Sequence, residues 1–170
     1  MKNAGRLVAL YGMMTAAALT LSYLESLVPA FFAVPGIKLG LANLVFLAAL
    51  YLIGWKSAIT INIVRVLLAA ILFGNLYSLA YSAAGALLSG VVMILLKKTG
   101  KFRMVTVSIA GGVMHNIGQI LVAVFLLHTV SIAWYILILW FSGIATGAVI
   151  GLIGSILVKH LKTPVKKFIG

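Results

Sequence analysis

The chain has 170 residues, of which 64% are hydrophobic and 8% charged, and its mean hydropathy is +1.26. A globule of that size has too little interior to hide so much apolar surface, which excludes a water-soluble domain and leaves a membrane protein. Thirteen Lys and Arg stand against a single acid, Glu25, and they cluster at the ends of apolar runs, so the formal charge of +12 points to orientation in a bilayer and not to a nucleic-acid surface.

Crossing about 30 Å of hydrocarbon takes roughly 17 to 25 apolar residues, and six runs approach that length. The first is predicted over 7–28, ending before Pro29. Its start, Met1 to Arg6, resembles that of a signal peptide, but the run is too long for one and leads into further spans, so it reads as an uncleaved anchor. The second, 39–54, is short for a full crossing. The third, 57–73, ends at Gly74-Asn75, a turn signal that separates it from the fourth, 76–96. The fifth covers 104–127 and the sixth 132–158. The expected architecture is therefore all-α, one transmembrane domain spanning 1–170 with six helices, and neither an internal repeat nor a soluble domain interrupts it.

With six crossings, Lys2, Arg6, Lys56, Lys97, Lys98, Lys101, Arg103, Lys159, Lys162, Lys166 and Lys167 all fall on one side. The positive-inside rule makes that side cytoplasmic and puts both termini there. The opposite side receives the loop from Pro29 to Lys38, the Gly74-Asn75 turn and the segment from His128 to Ser131. The C-terminal lysines also suit anionic lipid.

Small residues recur at helical spacing in two places. Gly143, Gly147 and Gly151 favour packing inside the protein, whereas Gly12, Ala16 and Thr20 in the first helix suit either internal packing or docking of another membrane protein.

Polar side chains at mid-bilayer cost a few kcal/mol each on insertion scales and normally face a cavity or a partner. Asn62 and Arg65 lie three apart in the third run, hence on one face. His115, Asn116 and Gln119 lie within about a turn of the fifth, with His115 and Gln119 stacked four apart. Glu25 is near the outer end of the first run, and Lys38 and Asn43 are near that of the second. Between them Val34-Pro35-Gly36-Ile37-Lys38 breaks one helix and begins the next, so the first amides of the new helix, with Lys38 beside them, suit an anion. All of these residues except Asn62 fall in the outer half of the membrane, where they can converge on one outward-opening pocket. Lys38, Arg65 and His115 against Glu25 alone suggest an anionic or strongly hydrogen-bonding ligand. The competing reading pairs Arg65 with Glu25 and uses the amides as glue between helices.

Catalysis within the chain meets an obstacle. No Ser/His/Asp set, zinc spacing or phosphate-cradling Gly-Lys loop is present, and without Cys there are no disulfides or thiolate metal sites. One Glu cannot supply the carboxylate cluster that holds magnesium in prenyl or phosphoryl transfer, so no catalytic residue, metal or cofactor is expected.

The stretches from Pro35 to Asn43 and from His115 to Gln119 resemble the signatures of a bacterial family labelled both Gx transporter and heptaprenyl diphosphate synthase component I. That family in turn resembles the substrate-binding S-components of energy-coupling factor (ECF) transporters. The resemblance implies a six-helix protein of the bacterial cytoplasmic membrane with an outward-facing site capped by the first external loop. It implies uptake of a vitamin or precursor, with Lys38, Asn43, Arg65, His115, Asn116 and Gln119 as candidate ligand contacts. It also implies docking of a coupling subunit driven by ATPases on the first helix, although S-components often carry Ala-x-x-x-Ala where this chain has Gly12, Ala16 and Thr20. The synthase label implies instead a non-catalytic accessory to a soluble prenyl synthase in making the polyprenyl tail of menaquinone.

Overall fold

The computed structural model describes residues 2–27, 40–127 and 136–170 of the chain, and these form six helices. They are α1 (Lys2–Leu27), α2 (Leu41–Leu52), α3 (Trp55–Leu72), α4 (Leu76–Thr99), α5 (Met104–Leu127) and α6 (Ile136–Ile169). Five are long and apolar enough to cross a membrane. With α2 they make an all-helical bundle of multi-pass membrane type, as the hydropathy runs anticipate. The expected boundaries shift by up to three residues at α2, α3 and α4, and α1 begins five residues earlier than expected. The largest difference is α6, which continues eleven residues beyond Val158 to Ile169. Its 34 residues rise about 51 Å, more than the bilayer core requires, so its basic last turns stand clear of hydrocarbon and Pro164 costs it only one backbone bond.

α2 is the shortest helix and the most deeply set. Its 12 residues rise only about 18 Å, too little to cross the core. It packs against α1, α3 and α6, and Leu47, Ala49 and Leu50 are completely buried. A buried helix must find partners for its terminal backbone groups where water is scarce. Other helices supply them: Glu25 of α1 accepts a hydrogen bond from Gly40 N–H at 2.5 Å, and Lys97 of α4 donates to Leu50 O. The one acid in the chain thus sits at the positive end of the α2 dipole and a cation at its negative end. Gly40 caps the helix in the left-handed region, at φ 73°, which a side chain would strain. Replacing Lys97 with methionine is expected to cost about 1 kcal/mol, because the carbonyl of the fully buried Leu50 loses its charged donor. Thermal unfolding in detergent measures that loss.

α5 packs most extensively, on α4 and on α6. The α6 stripe explains how: a Cβ at Gly147 would lie 2.7 Å from Ile109 Cα, and one at Gly151 2.7 Å from Val105 Cα. Gly112 of α5 faces Gly143 O in the same way. Without a hydrophobic force between helices in lipid, this backbone-to-backbone approach is what holds the pair. The expectation of internal packing for Gly143, Gly147 and Gly151 is met.

α1 lies on the outside. Its ties to the bundle include the Tyr11 and Ser57 hydroxyls at 2.5 Å, the Glu25 cap, the edge-on contact of Tyr23 with Phe73 and the buried Leu10 and Ala18. Gly12, Ala16 and Thr20 are exposed, and a Cβ at Gly12 would meet nothing within 4 Å.

Arg6, Lys56, Lys97, Lys98, Lys101, Arg103 and the α6 lysines share one end of the bundle. Trp55 sits among them, with Lys56 Nζ 5.7 Å and Lys98 Nζ 5.1 Å from its ring centroid. Aromatic rings beside cations are typical of a membrane–water boundary.

Candidate functional site

At the opposite end a polar cavity of about 130 Å³ lies where α1, α2, α3, α4 and α5 meet. Four of the expected ligand residues line it, each from a different helix: Glu25, Asn43, Arg65 and His115. The geometry follows from local rules. Asn43 is in the first turn of α2, directed by the Gly40 cap, whose carbonyl accepts from Asn43 N–H at 2.8 Å. Arg65 is about two turns from the end of α3 that faces the cavity and is only 7% exposed. Its Nη2 donates to Asn62 Oδ1 at 2.6 Å, one turn earlier on the same face, which steers the guanidinium and satisfies one of its five donors.

His115 reaches the cavity because α4 yields to it. A Cβ at Gly85 would lie 2.8 Å from the His115 ring, so only glycine leaves room for the imidazole there. Gln119 Nε2 and His115 Nε2 are 3.1 Å apart, the stacked contact expected from four-residue spacing. Gln119 is 3% exposed and stands behind His115, not on the cavity wall, and its Oε1 is buried with no hydrogen-bond partner among the described residues.

Asn116 takes a different direction. Being next to His115 it points about 100° away around the helix, and its Nδ2 donates to Leu139 O of α6 at 2.6 Å. It ties two helices together, as the glue reading anticipated for the amides. Gly40 N–H, one of the amides at the start of α2 that suited an anion, is occupied by Glu25. Lys38 and the loop around it lie outside the described residues, as does His128.

The cavity also carries hydroxyls that the sequence reading passed over: Ser22 and Ser26 of α1, and Ser78 and Ser82 of α4. Ser22 Oγ is buried with no hydrogen-bond partner among the described residues. Both serine pairs recur at four-residue spacing, which puts each pair on one helix face. That periodicity was visible, but a serine is cheap enough in a transmembrane helix to pass without notice. Ser78 has a second duty, for its side chain and that of Asn75 form a reciprocal cap at the start of α4.

The arrangement offers a buried permanent cation, an acid at the rim and hydroxyl, amide and imidazole groups able to donate or accept. That set can hold a small anionic or polyhydroxyl group. It offers no carboxylate cluster to a metal ion: among the described residues no three His, Cys, Asp or Glu side chains come together, and the whole chain has one acid.

The chain matches no curated protein and no solved structure in comparisons with known proteins. The wider likeness to S-components therefore has no structural counterpart among them. A family model does match, over residues 14–157, and that span takes in every residue of the cavity. By that match, the chain belongs to the heptaprenyl diphosphate synthase component I family.

Proposed function

We propose that this protein is a non-catalytic membrane component that serves a separate prenyl diphosphate synthase in the bacterial cytoplasmic membrane. The observation that carries this reading is the family match across residues 14–157, on a chain whose only acid is already engaged at the start of α2. Prenyl transfer is driven by magnesium held on carboxylates, so the chemistry belongs to the partner. What this chain contributes is a place in the bilayer. The cationic end, taken as cytoplasmic, gathers Lys97, Lys98, Lys101 and Arg103 with the exposed Lys159, Lys162, Lys166 and Lys167 of the α6 extension. An acidic, Asp-rich soluble synthase is complementary to that surface.

Affinity purification of the full-length protein from native membranes in mild detergent tests the reading. A soluble prenyl synthase is expected among the co-purifying proteins, with synthase turnover raised when the chain is present in lipid nanodiscs. Recovery of a membrane coupling subunit with ATPases, and of no synthase, would replace this reading with uptake of a small ligand. The uptake reading draws on the polar cavity at the end opposite the cations and on the open α1 face at Gly12, Ala16 and Thr20.

A further inference from the structure

A second cavity, about 260 Å³, adjoins the first. It is a cleft between α3 and α4 floored by Phe46 of α2, and Asn62 is the one strongly polar residue on its wall. Two residues join the cavities. Val66 lines both, and Asn62 lines the cleft while its Oδ1 accepts from the Arg65 guanidinium that lines the polar chamber. The cleft is open to the bilayer along its length: Ile63 and Leu67 on α3, and Leu87 and Val91 on α4, are 47–67% exposed.

The opening has a structural origin. α3 and α4 are joined by the tight Phe73-Gly74-Asn75 turn at the polar end, yet they pack on each other far less than α4 packs on α5. On the α4 side, Ala83, Ala86 and Gly90 present small side chains where a closed pair would interdigitate large ones. Gly90 is small because the Phe46 ring lies against it, 3.3 Å from where its Cβ would be.

Neither space alone reaches the roughly 300–1,000 Å³ of a typical small-molecule site, but the two together enter that range. One end is polar and carries a buried cation; the other is apolar and continuous with lipid. A free polar metabolite would leave the cleft unused, and a neutral lipid would offer no acceptor to the guanidinium donors of Arg65 beyond the one that Asn62 takes among the described residues. We propose that the two cavities form one site for an anionic isoprenoid lipid, its phosphate or diphosphate against Arg65 and its chain leaving between α3 and α4 over Phe46. This rests on the prenyl diphosphate reading above for the isoprenoid nature of the chain, whereas the head-and-tail division rests on the cavities themselves and sets the head toward the end opposite the cationic surface. Because the cleft is open, tail length is not limited by the protein.

The test uses the full-length protein in phosphatidylcholine nanodiscs, with heptaprenyl diphosphate and inorganic diphosphate as probes and binding read by native mass spectrometry. Ala83 is exposed and lines the cleft, so Ala83→Phe fills the tail path without entering the packed core. It is expected to lower the ratio of heptaprenyl diphosphate to inorganic diphosphate affinity at least tenfold, with an unchanged unfolding midpoint as the check on folding. An unchanged ratio in folded Ala83→Phe would overturn the proposal. So would equal displacement of heptaprenyl diphosphate by phosphatidylglycerol, since that would make the occupant any anionic lipid. Retention of the isoprenoid by a chain that recruits no synthase would sink the accessory role and leave this site standing.

Discussion

Replacing Arg65 with methionine is expected to leave the protein folded, with an unfolding midpoint equal to or above that of the wild type, while heptaprenyl diphosphate affinity falls about a hundredfold or more. The two effects separate because they draw on different states. The guanidinium has lost nearly all its water and, among the described residues, recovers one hydrogen bond, to Asn62, together with the field of Glu25. Stripping a charge of water costs several kcal/mol, and exchanging it for an apolar side chain of similar volume is often neutral or stabilising. Glu25 is not stranded by the exchange, being half-buried and held by Gly40 N–H at the α2 terminus. In the liganded state the same cation makes charge-assisted bonds to the anion, and removing one partner of such a buried pair costs about 2–5 kcal/mol. A residue retained at a cost to folding is the signature of a binding role. If Arg65→Met lowered the unfolding midpoint by many degrees and left binding intact, Arg65 would be part of the scaffold and the chamber would lose its anchor.

Replacing Gly147 with leucine is expected to abolish assembly of the bundle, measured as loss of the monodisperse peak on size exclusion and of any cooperative unfolding. The atoms that a Cβ would strike are backbone, Ile109 Cα at 2.7 Å and Ser108 O at 2.9 Å, and neither can turn aside. Overpacking a core that can repack costs about 1–3 kcal/mol. Here the two helices must separate along a seam that also includes Gly143 and Gly151, and in lipid no hydrophobic force draws them back. Gly12→Leu on α1 is the comparison, with the same chemistry and spacing on a face that meets nothing within 4 Å. It is expected to purify and melt like the wild type. Its failure to do so would mean that the α1 face is covered in the native membrane protein by more than lipid.

These two stripes show where reading the chain ran out. Gly143, Gly147 and Gly151 and Gly12, Ala16 and Thr20 have the same spacing, and only the arrangement of neighbours makes one a seam and leaves the other open. The polar residues divide similarly. His115 and Asn116 are adjacent in sequence with comparable hydrogen-bonding capacity, yet one faces the cavity and the other is spent on Leu139 O.

Hydropathy alone determined that the chain is a membrane bundle, roughly where its helices lie and that they keep their cations at one end, because insertion energy depends on residue type and run length and hardly on neighbours. The rarity of buried charge likewise singled out Glu25, Arg65 and His115 without any structure. Tertiary structure alone decided that Glu25 and Lys97 cap opposite ends of α2, that Gly85 makes space for His115, and that α3 and α4 stand apart over Phe46. Every residue of that cleft except Asn62 reads in sequence as ordinary lipid-facing surface. A cavity is a property of the distance between helices, and in a medium as apolar as the side chains themselves, hydrophobicity carries no record of that distance.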